Sequence, residues 1–133
     1  MDQQYLNLAN CFNRFAYELV IREEIVKKNI KPLEDDVLYR RVIFNKYYYA
    51  LYHKYLAYDN DLRNKNGSSK HDAIRTKIKN CGDPKLFQVF EKLLALRIWA
   101  DYEVDDSSQA RDINLTTLNQ DVWKIIKRES LNC

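Results

Sequence analysis

Two glycines and two prolines in 133 residues constrain the fold of this chain more than anything else in its sequence. Average usage would supply roughly 9 and 7. Hairpins, bulges and tight turns draw on both residue types, so an all-β fold would lack its punctuation and long helices are left. The periodicity agrees. Tyr5, Leu8, Ala9, Phe12, Phe15, Ala16, Leu19 and Val20 recur at i, i+3, i+4 and i+7, the stripe of a helix and not of a strand, which predicts a first helix from about residue 3 to 29.

Pro32 interrupts that pattern. Glu34, Asp35 and Asp36 then place negative charge at the positive end of a second helix dipole, and Val37, Phe44, Tyr48, Leu51, Tyr52 and Tyr55 give that helix its apolar face as far as Tyr58. Residues 59 to 68 hold a glycine and almost nothing apolar, hence a surface loop. Ser69 and Asp72 stand at capping-box spacing for a short third helix through about Asn80, which Gly82 ends. Asp83-Pro84 is an N-cap and N1 pair for a fourth helix, with Leu86, Phe90, Leu93, Leu94 and Arg97 in helical phase to about Tyr102. Residues 103 to 112 read as an acidic loop. Leu115, Leu118, Val122, Ile125 and Ile126 form a fifth helix, with Thr117 and Gln120 at capping-box spacing. The expectation is an all-α chain, an antiparallel bundle of about five helices, with residues 1–133 forming one domain.

The formal net charge of +3 is too small for a histone-like nucleic-acid binder and permits only local basic surfaces. No apolar run is long enough to span a membrane and no basic-then-apolar leader opens the chain, which predicts a cytoplasmic protein away from membranes. Cys11, Cys81 and Cys133 are odd in number and widely spaced, as expected of reduced thiols. With His53 and His71 the only imidazoles, neither a metal site nor a cofactor is expected.

Function must be sought in polar side chains whose helical phase sets them beside the core. Arg41 lies close in phase to Tyr48 and Tyr52, with Asn45 alongside. A guanidinium there can carry its head to solvent, be paired, or line a groove. Arg97 and Asp101 are spaced for an i,i+4 ion pair, or they end a helix with Tyr102 at the mouth of a groove. Seven of the ten tyrosines fall between Tyr39 and Tyr58. They suit a core, a polar groove or a subunit interface, because one end of a phenol can stay wet. From Arg63 to Lys79, the cations Arg63, Lys65, Lys70, Arg75, Lys77 and Lys79 face one acid, Asp72, and could meet phosphates, meet solvent, or meet the acidic residues Asp101, Glu103, Asp105 and Asp106 across a dimer.

The run Asn45-Lys46-Tyr47-Tyr48-Tyr49-Ala50-Leu51-Tyr52-His53, then Ser69-Lys70-His71, then Arg97-Ile98-Trp99-Ala100-Asp101-Tyr102 resembles the HEPN superfamily. It is most similar to the branch with a Y-Y-A-x-Y-H-like helix, a loop histidine and an R-x-x-A-D-Y motif, over residues 38 to 128. The resemblance implies a small helical bundle, usually a homodimer, in toxin or antiviral defence systems. Such proteins act as ribonucleases or RNA-binding subunits, often beside a minimal nucleotidyltransferase. Lys46, Tyr48, Tyr49, His53, His71, Arg97, Asp101 and Tyr102 fall on its motif positions. Lys46 stands where an arginine is usual, which removes bidentate phosphate geometry.

Ribonuclease members carry Arg, four to six residues, then His. Here Arg63 and His71 are separated by seven residues and Arg41 and His53 by eleven. The expected catalytic set is therefore Arg97 for phosphorane charge, His71 or His53 for the proton, with Asp101 and Tyr102. Arg41, Asn45, Lys46, Tyr48, Tyr49, Lys70 and Arg75 are the expected RNA- or nucleotide-binding residues. The alternative is a non-catalytic dimeric module that partners a nucleotidyltransferase, with Tyr102 a candidate acceptor of a nucleotidyl group.

Overall fold

A computed structural model describes residues 1–103 and 108–129. The chain is an all-α bundle: α1 (Gln3–Ile21), α2 (Glu23–Asn29), a short 3-10 turn (Lys31–Glu34), α3 (Asp36–Tyr58), α4 (Asn60–Arg63), α5 (Gly67–Lys79), α6 (Pro84–Tyr102), α7 (Ser108–Asp112) and α8 (Leu115–Ile126), with no strand among the described residues. No helix of the described residues is long and apolar enough to cross a membrane.

The middle of the bundle is α3. Asp35 caps it, its carboxylate accepting from the amides of Val37 and Leu38. Cross-links fix the directions of its neighbours. The Asp2 amide donates to the Ala57 carbonyl at 2.7 Å while the Tyr39 hydroxyl donates to the Leu19 carbonyl at 2.7 Å, so α1 runs antiparallel to α3. Arg41, early in α3, reaches the carbonyls of Trp99 and Ala100 at the end of α6, so α6 is antiparallel as well. Tyr47 meets Asn119 and Lys54 meets Ile126, which sets α8 parallel to α3.

Surrounded in this way, α3 is buried on nearly all sides. Tyr39, Ile43, Phe44, Tyr47, Tyr48, Ala50, Leu51, Tyr55 and Leu56 all join one core with Ile74, Ile78, Leu86, Phe90, Leu93, Leu118 and Val122. The expected single apolar face was too narrow: Tyr47 is buried on the flank opposite Tyr49, and even Lys54 is only 3% exposed. One strip stays half-buried, formed by Val42, Asn45, Lys46, Tyr49 and His53 with Leu38 at its exposed end. Phe12 of α1 and Arg97 of α6 flank this strip, and the face between them is called the groove below.

Several local expectations are corrected. The first helix breaks at Arg22, which caps both α1 and α2, because the apolar stripe lapses over Arg22, Glu23 and Glu24. The bend lets Lys27 reach Asp36 at 2.7 Å, beside the start of α3. Residues 59 to 68 are not wholly loop: Asp59 accepts from the Leu62 amide and starts the single turn α4. The third helix begins at Gly67 after Asn66, and the Ser69 hydroxyl donates back to the Asn66 carbonyl instead of capping. The stretch 103 to 112 contains α7, held where Arg40 donates to the carbonyls of Ala110 and Ile113. The cap of α8 is Asn114, accepting from the Thr117 amide, so Thr117 lies inside the helix.

These short pieces raise the count above five. Gly82, at φ +79°, ends the α5 segment as expected, and Asp83 caps α6 through the Leu86 amide. Cys11 is free and exposed. Asp105, Asp106 and Cys133 lie outside the described residues.

Candidate functional site

Arg97 organises the groove on its α6 side. It follows Phe90 and Leu93 at helical spacing, both fully buried, so its stem leaves the core and its guanidinium emerges beside α3. Three tyrosine rings surround the guanidinium carbon, Tyr48 at 5.4 Å, Tyr49 at 5.5 Å and Tyr102 at 5.3 Å from their centroids. Nη2 donates to the hydroxyls of Tyr49 at 3.0 Å and Tyr102 at 3.4 Å. Nε lies 3.0 Å from an Asp101 oxygen but off the N–H axis, so the contact is an ion pair without a hydrogen bond. Asp101 also accepts from the Asn45 amide at 3.1 and 3.2 Å, tying α6 to α3.

His71 enters from α5. Ile74 and Ile78 bury that helix against the bundle, and His71, one turn before Ile74, lands on the tyrosines. Its ring stacks on Tyr52 at 4.6 Å and Tyr48 at 5.7 Å, and its Nδ1 lies 2.6 Å from the Tyr48 hydroxyl. Burial holds its pKa below the usual value and the charge of Arg97 lowers it further, which favours neutral imidazole. Burial raises the Tyr48 pKa, so its phenol keeps its proton. Tyr48 and His71 share this one hydrogen bond, and in the tautomer with the ring proton on Nε2 the phenol donates to Nδ1. In this state His71 offers a donor and no free base.

His53 belongs to the α1 wall. It stacks on Phe12 at 5.3 Å and sits edge-on to Tyr52 at 5.1 Å, with Nδ1 buried and unpartnered. Burial, then Lys70, brings its pKa down to about 4, so it is neutral at pH 7 and a poor proton donor there. Lys46 lies over the Phe12 ring at 5.2 Å on the same side.

The structure thus brings together Arg97, Asp101, Tyr102, His71, His53, Asn45, Lys46, Tyr48 and Tyr49 around one groove, with Lys70 close enough to act on His53. It places Arg41 and Arg75 in other contacts. Arg41 donates to the carbonyls of Trp99 and Ala100 at 2.9 and 3.0 Å and lies 4.2 Å over the Trp99 ring, satisfying the end of α6. Arg75 forms a two-point pair with Glu91 on α6.

Much of the basic segment is engaged likewise: Arg63 binds the carbonyls of Leu56 and Ala57, and Lys77 pairs with Asp59. Phe12, whose spacing marks it as core, and Tyr52, whose spacing suits core or interface, are site residues as well. Tyr52 was the more legible, lying beside His53 in the motif. A comparison with family models, curated proteins and solved structures finds no match to this chain.

Proposed function

We propose that this chain is a HEPN-type protein of a toxin or defence system, binding RNA or a nucleotide through the groove at Arg97 and retaining its ligand uncut. The carrying observation is the guanidinium of Arg97 ringed by Tyr48, Tyr49 and Tyr102 beside His71. Guanidinium and imidazole N–H groups suit a phosphate, and the exposed ring of Tyr102 gives a base a surface to stack on. Cleavage through the ribose 2′-hydroxyl needs a base, and the two imidazoles are respectively committed through Tyr48 and buried.

Arg97→Ala is expected to weaken binding of labelled single-stranded RNA by roughly tenfold or more and to reduce its salt dependence, as measured by fluorescence anisotropy at several ionic strengths. The RNA should be recovered intact. Unchanged affinity in the variant would remove the groove from the function, and cleavage abolished by His71→Ala would restore the ribonuclease reading.

The walls of the groove favour a second reading. Leu8 and Phe15 on α1, Leu38 on α3 and Ile98 on α6 are exposed large apolar side chains beside it. A homodimer, or a complex with a minimal nucleotidyltransferase, would cover them. Sedimentation equilibrium is expected to report a dimer that Phe15→Asp with Ile98→Asp converts to monomer; a wild-type monomer at every concentration argues against self-association. Intact mass after co-expression with such an enzyme reads any nucleotide added at Tyr102.

A further inference from the structure

On the other flank of α1, away from Arg97, a cavity of about 390 Å³ opens between α1 and α8, lined by Asn13, Arg14, Tyr17, Asn119, Gln120 and Trp123. Both helices present the same arrangement: a carboxamide precedes an aromatic ring by four residues, Asn13 before Tyr17 and Asn119 before Trp123. One helical turn stacks the two members of each pair on one face. The rings are unusually bare, Trp123 being 53% exposed. The amide of Asn13 is the reverse, in a residue only 5% exposed, with its side-chain oxygen buried and unpartnered. Such an oxygen is destabilising until something donates to it.

We propose that this cavity binds an adenine base, stacked on Trp123 and read along its edge by carboxamides. A primary carboxamide offers an acceptor and a donor side by side, the complement of the adenine N6 donor and N7 acceptor. Asn119 is held for this task because its oxygen accepts from the Tyr47 hydroxyl at 2.6 Å, which leaves its NH2 group as the free edge. Gln120, which lines the same side, supplies a second carboxamide with both an acceptor and a donor. The one charged lining residue, Arg14, is paired with Glu18 at 2.8 Å, so the site suits a neutral heterocycle. Its volume falls within the range of small-molecule sites and accommodates a nucleoside.

The probe is adenosine, which carries no phosphate for Arg97, so this site and the RNA reading can fail separately. Calorimetry on the full chain is expected to show saturable adenosine binding that Trp123→Ala weakens roughly tenfold or more and Gln120→Ala weakens less. Because Trp123 is exposed, its replacement leaves helical circular dichroism unchanged. Trp123→Ala is also expected to leave the affinity of the Arg97 groove for oligo(U), which carries no adenine, as it was. Oligo(A) competing with adenosine would mark the source as a base within RNA; failure of oligo(A) to compete would mark a free nucleoside. The proposal is overturned if adenosine does not saturate at millimolar concentration. It is equally overturned if uridine or glucose binds as well as adenosine, or if Trp123→Ala binds adenosine as tightly as the wild type.

Discussion

Between pH 6.5 and pH 4 the folded chain is expected to lose about 2 kcal/mol of stability through one side chain, His53, less than the full shift because solvent still reaches part of its ring. In the unfolded chain its imidazole takes up a proton near the ordinary value of 6.5, whereas in the native bundle it resists protonation until about 4. Across that interval the unfolded state binds the additional proton, so stability increases with pH, is complete above 6.5 and is lost as the pH falls. The cause is local. Phe12, Tyr5, Tyr49 and Tyr52 pack around the ring and the cationic Lys70 is near. His71, shifted in the same direction, adds to the effect.

His53→Phe keeps a ring against Phe12 and removes both the titration and the buried unpartnered nitrogen. Urea unfolding at pH 7 and pH 4 is expected to show a smaller loss in this variant than in the wild type, with the carboxylates contributing alike to both. Parallel losses in the two proteins would mean that the native imidazole is accessible to protons.

The second large effect concerns Lys54. Its ammonium lies inside the bundle with no carboxylate of the described residues against it and donates to the carbonyls of Ile126 and Arg128, both at 2.7 Å, where α8 ends. The negative end of the helix dipole and the ring of Tyr58 at 5.2 Å share in holding the charge. Burial lowers its pKa, a measure of the desolvation opposing it. Truncation removes two charge-assisted hydrogen bonds and leaves two carbonyls in need of donors.

Lys54→Ala is therefore expected to destabilise the fold by about 3 kcal/mol and to lower Tm by about 10 °C in a thermal scan. Lys54→Met retains the packing of the stem and is expected to recover about 1 kcal/mol of this. If Met matched the wild type, the carbonyls would have found water, and the end of α8 would not depend on Lys54.

Neither residue could be recognised from its spacing alone. A helix with one wet face announces itself by its period, as the Tyr48, Tyr52 and Tyr55 positions did, but a helix covered on most sides flattens that period. Tyr39, Tyr47 and Lys54 consequently looked no more buried than their neighbours. Caps written in adjacent residues were legible, Asp83-Pro84 above all, because their hydrogen bonds are local. Arg41 was open to three fates and the fold selected pairing, through a contact 58 residues away.

Arg97 and Asp101 could be placed together from i,i+4 spacing. Their ring of tyrosines could not, because Tyr48 and Tyr49 come from α3 and depend on the direction and register of α6. Phe12 was legible as a core position of α1, and its place against His53 required the antiparallel packing of α1 on α3.

The same packing divides the candidate site into parts of unequal persistence. Arg97 and its tyrosines stand on α3 and α6, the two helices with the most extensive burial, whereas α5 buries only Ile74 and Ile78 and is otherwise held by polar contacts such as Arg75 with Glu91. Segments with little apolar burial open at a fraction of the global free energy, as cooperative units of their own. His71 therefore rides on a part of the bundle that detaches before α3 and α6. The cationic half of the groove outlasts the departure of its imidazole, and with α5 away the Tyr48 hydroxyl loses the partner that occupied it.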